Sequence, residues 1–181
     1  MSTLEVNNIK DTGSNSLISS DGSGTFTINN SVLKMTPAFH VRLTTNQNVS
    51  DGAQTKVNFN DSTLDTNSCW DAVNYRFLPT VAGKYYVYAQ VTCQATANNA
   101  LTEAMASFQI NGVRRVTGSY TTNTSTYATL YSASVAHIFT LNGSSDYVEV
   151  YGRSDISTGT AQFTSSHEYA TYFMGYKIIG A

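Results

Sequence analysis

Apolar and polar side chains alternate with a period of two along most of this chain, most clearly over residues 55–91. Three short runs appear there: Thr55-Lys56-Val57-Asn58-Phe59-Asn60, Tyr75-Arg76-Phe77-Leu78-Pro79, and residues 81–91. Alternation rich in Val, Tyr and Phe predicts half-buried antiparallel strands. Pro79 cannot donate to a sheet ladder and marks a strand end. Gly83 tolerates backbone angles that a side chain would forbid. In the last run Tyr85, Val87, Ala89 and Val91 fall on one face, and Tyr86, Tyr88 and Gln90 on the other. Both faces carry bulk. One is expected to meet an opposing sheet and the other a second chain.

The same period recurs elsewhere. Phe39, Val41 and Leu43 alternate in residues 38–43, whereas residues 92–101 read as loose and polar. Residues 103–110 run into Asn111-Gly112, a strong hairpin signal, and Val113-Arg114-Arg115-Val116 returns. Residues 127–141 form the longest run, with Leu130, Ser132, Ser134, Ala136, Ile138 and Thr140 set against Tyr131, Ala133, Val135, His137, Phe139 and Leu141. Asn142-Gly143 turns it, residues 147–151 come back, and residues 169–179 close the chain. Nothing keeps a helical period over three turns. About eight strands at short spacing with Gly-rich turns predict an all-β antiparallel sandwich or jelly roll.

Residues 1–36 are different. Leu4, Val6, Ile9, Ile18, Phe26, Ile28 and Leu33 stand among Asn, Ser, Asp and Gly, in strand-like pieces cut by Asp-Gly and Ser-Gly turns. These apolar residues are too few to close a core alone. The segment is expected to pack on a partner, trimer mates included, with a disordered tail as the alternative. Residues 37–181 make the globular head.

Composition narrows the setting. Only 12% of the 181 residues are charged, against about 25% in a typical soluble domain. Asn, Thr and Ser must therefore coat the surface, as suits extracellular and virion proteins. The net charge of −2 and the lack of a basic block argue against nucleic-acid binding. No basic-then-apolar leader opens the chain, and no apolar run reaches the ~20 residues of a membrane helix. A virion location without membrane insertion is expected. Cys69 and Cys93 are too few for a disulfide scaffold. One buried thiol and one loop thiol are expected, with a single bridge left open.

Catalytic chemistry finds little support. His40, His137 and His167 accompany no Gly-x-Ser-x-Gly elbow. His167-Glu168 alone does not make a zinc site, and His137, inside a strand pattern, reads as structural. No enzyme is expected. Arg114-Arg115 reads as a solvated hairpin pair. Tyr120, Tyr127 and Tyr131 flank a Thr/Ser/Asn loop at 120–126 that includes Asn123. Tyrosine beside small polar residues suits adaptable recognition. That loop and residues 155–160, opening at Asp155, are the candidate ligand surface. The alternative packs these rings inside the sandwich or around a trimer axis.

The order of these pieces resembles the complement-one-q globular head of the tumour-necrosis-factor-like jelly-roll superfamily. The residues that carry the resemblance are Val57-Asn58-Phe59-Asn60, Tyr75-Arg76-Phe77, Gly83-Lys84-Tyr85-Tyr86-Val87, Phe108-Gln109-Ile110-Asn111-Gly112, Phe139-Thr140-Leu141-Asn142-Gly143, and the closing Tyr172-Phe173-Met174-Gly175-Tyr176-Lys177-Ile178. It implies a jelly roll of about ten strands in a tight threefold homotrimer. Tyr86, Tyr88, Tyr172, Met174 and Tyr176 are then the expected trimer-interface residues. Some members hold calcium near the trimer apex. Here Asp51, Asp61, Asp65, Asp71, Asp146 and Asp155 lack the ligand spacing of a calcium loop, so no metal or cofactor is expected. The collagen stalk of animal members is missing. Residues 1–36 resemble instead the short leader of phage appendage proteins, joining three chains by parallel or intertwined strands.

Together these point to a non-enzymatic tailed-phage virion protein. It would be a short trimeric fibre or knob, held to other virion proteins by its N-terminal segment and presenting its head to a host-surface glycan or protein. A capsid decoration or adaptor protein and a secreted lectin-like head are the alternatives.

Overall fold

A computed structural model describes residues 7–28, 36–121 and 128–179. The expected Leu4, Val6 and Leu33 of the anchor, and Asn123 and Tyr127 of the ligand loop, lie outside these residues. Three strands come first: β1 (Asn8–Lys10), β2 (Ser16–Ser20) and β3 (Phe26–Ile28). They pair antiparallel into a sheet of their own. Each turn closes within the chain. Asp11 accepts from the Asn15 backbone N–H at 2.8 Å and Asp21 from that of Ser23 at 2.8 Å.

The head follows, again all antiparallel. In order it holds β4 (Ala38–Arg42), β5 (Gln47–Val49), β6 (Thr55–Lys56), β7 (Asp61–Asp65), β8 (Trp70–Asp71), β9 (Arg76–Phe77), β10 (Gly83–Ala95), β11 (Leu101–Ile110), β12 (Val113–Thr121), β13 (Leu130–Leu141), β14 (Val148–Ile156), β15 (Ala161–Phe163) and β16 (Tyr172–Lys177). One sheet is built on β10. Its first edge pairs with β13 along nearly its full length, and its second edge takes β16 and then β15 end to end. β4 and β5 pair outside these two, and β7 closes the far edge. The opposing sheet runs β12–β11–β14, with β6 and then β9 and β8 beyond β14. The long strands change sheets between β10 and β11, β12 and β13, β13 and β14, and β14 and β15. That wiring makes a jelly roll.

Between the sheets lies an aromatic core. Phe39 stacks on Phe77 at 4.4 Å and meets Phe173 edge-on at 4.6 Å. Phe108 reaches both Phe139 at 5.8 Å and Phe173 at 5.7 Å. Tyr85, Val87, Ala89 and Val91 all face this core and are fully buried. The Tyr85 hydroxyl donates to the Val81 carbonyl at 2.5 Å, so its polar end is satisfied. Two glycines permit the packing. At Gly175 a Cβ would come within 2.9 Å of the Phe39 ring, so only a bare backbone lets that ring lie flat. At Gly118 a Cβ would stand 2.1 Å from the Ser134 carbonyl oxygen, where β12 crosses β13 and the sheets close.

Several expectations need correction. Residues 92–101 are not a loose loop, because β10 continues to Ala95, and Ala100 and Leu101 are buried. Thr92 is tolerated inside because its hydroxyl donates to the Ala170 carbonyl at 2.5 Å. Of residues 55–60 only Thr55 and Lys56 form a ladder, although Val57 and Phe59 are buried as expected. The two thiols are free and both buried, and Cys69 lies in a connection that the sheets cover. Burial pushes both thiols above their ordinary range, which keeps them unreactive. His137 takes an inward register position opposite Val87, yet is exposed, because β13 is an edge strand. Its ring rests 4.5 Å from that of Phe139.

Gly118→Ala is expected to destabilise the fold by about 1–3 kcal/mol, since backbone rather than a side-chain tip must yield. The urea midpoint reads this. A midpoint equal to the parent's would show that the sheet edges are slack there.

Candidate functional site: the aromatic outer face

Period two puts every second residue of β10 outward, and the neighbouring strands continue each position as a row. Ile138, Tyr86, Tyr176 and Ala38 form the first row. Ala136, Tyr88, Met174, His40 and Leu64 form the second. Ser134, Gln90, Tyr172, Arg42 and Asp61 form the third. The five expected trimer-interface residues thus share one surface. Tyr86, Tyr88, Tyr172 and Met174 are half-buried by one another, while Ile138 is 53% exposed and Leu64 46%. Tyr86 pairs with Tyr176 at 5.6 Å between ring centres, and Tyr88 with Tyr172 at 5.6 Å.

Polar contacts fix the rings. The Tyr88 hydroxyl donates to Ser134 Oγ at 3.0 Å, and Gln90 Nε2 donates to the Ala170 carbonyl at 3.0 Å. Burial, and after it the neighbouring Tyr88, push the Tyr172 phenol up to about 12. His40 stands between Tyr169 at 5.2 Å and Tyr172 at 5.7 Å, with Nδ1 2.5 Å from Thr63 Oγ1. Burial, and then the charge of Arg42, hold its pKa below the ordinary 6.5. Arg42 donates to Asp61 at 2.6 Å and to Glu168 at 2.7 Å, and its guanidinium lies 4.9 Å from the Tyr169 ring centre.

The expected ligand loops look different. Tyr120 belongs to β12, its backbone opposite Ala104. Tyr131 belongs to β13 and is 39% exposed. Asp155 belongs to β14, where both its oxygens take Arg153, so residues 155 and 156 extend a strand instead of opening a loop. Arg114 and Arg115 are exposed on β12. In the N-terminal sheet Ile9 pairs with Ile18 and Ile18 with Ile28. Phe26 shares that face at 64% exposure, so four expected anchor residues lie together.

The carboxylates that the family resemblance singled out for calcium are each engaged within the chain. Asp51 accepts from the Ile156 N–H, Asp65 from the Cys69 N–H and Asp71 from the Asn74 N–H, while Asp146 accepts from the Asn142 N–H. Asp61 and Asp155 pair with arginines. Among the described residues no three of His, Cys, Asp and Glu stand together.

Comparison with solved structures finds the same architecture in Eiger, a TNF from S. frugiperda. The chain is a TNF-like jelly roll. The two align with a TM-score of 0.56 at 11% identity, over 80% of this chain and 93% of the other. No family model matches the sequence, and no curated protein does. The likeness therefore concerns the fold alone. No helix among the described residues is long and apolar enough to cross a membrane.

One missed feature is the Trp70 side of the head. β8 and β9 are two residues each, and only β9 falls in an alternating run. The Asp71-x-x-Asn74 spacing was the available sign of a tight turn.

Because the folded chain resists protonating His40, the unfolded chain takes the proton first as pH falls through 6.5. Stability is full above that value and declines below it. The urea midpoint is expected to fall between pH 7 and pH 5, and His40→Gln to flatten that decline. An equal decline in the variant would assign it to other groups.

Proposed function

We propose that the chain is a non-enzymatic virion protein of a tailed phage, a short trimeric fibre or knob whose head binds the host surface. The observation that carries the trimer is the outer face of the β10 sheet. A lone soluble head has no reason to line a sheet with Tyr86, Tyr88, Tyr172, Met174, Tyr176 and Ile138. Tyrosines suit an interface because each brings apolar area and a polar end. Three such faces around one axis would cover one another. The TNF-like jelly roll supports this, as the family resemblance implies a threefold assembly.

The N-terminal sheet supports the anchor. Its apolar face of Ile9, Ile18, Phe26 and Ile28 is too small to be a core and fits a groove on another virion protein. The sparse charge and the Asn, Thr and Ser surface suit a particle exposed outside the cell. Trimerisation multiplies weak contacts, by about 10²-fold or more on a multivalent target. The second reading is a decoration or adaptor protein, favoured by the same anchoring face. Removing the head separates the two: adsorption is lost under the first reading and kept under the second.

The trimer is tested by native mass. A species of about 59 kDa is expected, three times the 19.6 kDa chain. Tyr86→Glu should yield folded monomer, because the position faces away from the core. A parent chain that runs as a monomer overturns the threefold reading. Ile18→Ser with Phe26→Ser should leave the head folded and abolish incorporation into particles.

A further inference from the structure

We infer that the groove beside Trp70 is a saccharide site, which deepens the reading of the head as a binding module. The groove lies between the edges of the two sheets, away from the β13 edge. It encloses about 410 Å³ and is lined by Phe59, Asn60, Asp61, Ser62, Trp70 and Tyr75, with Ala72 at its rim. That volume falls within the ~300–1,000 Å³ of small-molecule sites. Phe59, 1% exposed, makes the floor. Trp70 and Tyr75 are half-buried and supply aromatic surface.

Tyr75 is the informative residue. Its backbone stands at φ 51, in the left-handed region. A bulky residue costs about 1–2 kcal/mol there, and Gly or Asn would be at ease. The Tyr75 hydroxyl meets no hydrogen-bond partner among the described residues. The turn is instead held by Asp71, which accepts from the Val73 and Asn74 backbone N–H groups and from Arg76 Nε at 3.2, 3.0 and 2.8 Å. Burial opposes ionisation of Asp71, but the hydrogen bonds from Asn74 and Arg76 hold its carboxyl below the ordinary range. A stiff turn thus carries an aromatic ring into a groove at a backbone cost. Such an outlier points to the ring's use.

The polar groups select the ligand. Asp61 Oδ2 takes Arg42 at 2.6 Å, leaving Oδ1 as an acceptor. Asn60 Nδ2 gives one N–H to Thr45 at 3.3 Å and keeps the other. The Trp70 indole N–H meets no acceptor among the described residues. Sugar hydroxyls both donate and accept, so they can answer all three, while the apolar face of a pyranose covers an aromatic ring. No Lys, Arg or His lines the groove, and the one charge there, Asp61, is negative and already paired with Arg42, so nothing is left to attract an anion. Phosphorylated and acidic ligands are therefore disfavoured, and a neutral hexose or 2-acetamido-hexose fits.

Trp70 is the chain's only tryptophan, so its fluorescence reports this groove. The full chain is titrated with the methyl glycosides of glucose, galactose, mannose and N-acetylglucosamine, to roughly 0.1 M, because ligands with few contacts bind at millimolar Kd. A saturable change is expected with at least one. Tyr75→Asn should weaken that binding tenfold or more while the thermal midpoint holds or rises. Absence of saturation with all four overturns the site, and so does binding unchanged in Tyr75→Asn. Native mass reads the trimer independently, so a monomer that still saturates would sink the threefold reading and spare the groove.

Discussion

The contact between the rings of Phe39, Phe77, Phe173 and Phe108 holds the two sheets to one another. Each ring comes from a different strand, and β4 and β16 share one sheet while β9 and β11 share the other. A Phe side chain buried this way stabilises by about 1.5–3 kcal/mol, so the four dominate the register of everything around them. Gly175 is part of the same arrangement, because its bare backbone lets the Phe39 ring approach. Once these rings are seated, period two decides the rest. Tyr85, Val87, Ala89 and Val91 must point inward, and Tyr86, Tyr88 and Gln90 must point outward.

That constraint produces the outer face as a consequence. Because β10 is central in its sheet, its outward residues are flanked by β13 on one side and β16 on the other. Bulk on β10 alone would be scattered. Bulk repeated at Ile138, Met174 and Tyr176 makes a continuous surface. The face grades from apolar at Ile138, Tyr86 and Tyr176 to polar at Ser134, Gln90, Arg42 and Asp61. Its polar end is already satisfied within the chain by Arg42 with Asp61 and Glu168. The apolar end has no such internal answer, and it is there that a second surface would remove most apolar area from water.

Long strands were legible in the sequence because alternation over six or more residues leaves little ambiguity. The inward set on β10 was readable residue by residue, and so were Phe39 and Val41 on β4. Short pairings were not. β6 and β9 pair over only two residues of the longer alternating runs around them, and β8 holds two residues outside any such run. Thr92 misled for a different reason. It looks like a surface residue, yet it is buried, because its hydroxyl finds the Ala170 carbonyl. Asp155 misled likewise, since an acid just before Ser157-Thr158-Gly159 reads as a loop unless its arginine partner two residues away is weighed. His137 shows the converse, since parity predicts direction but an edge strand has little to point into.

The Trp70 groove was hidden because its defining feature is a backbone angle. Tyr75 sits in an alternating run and reads as an ordinary strand residue, whereas in the fold it occupies a left-handed turn position. The two candidate surfaces also differ in kind. The outer face is broad and largely apolar, and its worth depends on a partner of matching area. The groove is small and mixed, built from the exposed edges of both sheets where neither is paired further. A jelly roll leaves such edges wherever its outermost strands stay short, and a rigid Asx turn at one of them can hold a ring at a fixed height. Assembly through the apolar end of the face, at Ile138, Tyr86 and Tyr176, would leave that edge uncovered. Three chains would then carry three outward grooves on one rigid body, the geometry in which weak single-site binding becomes firm attachment.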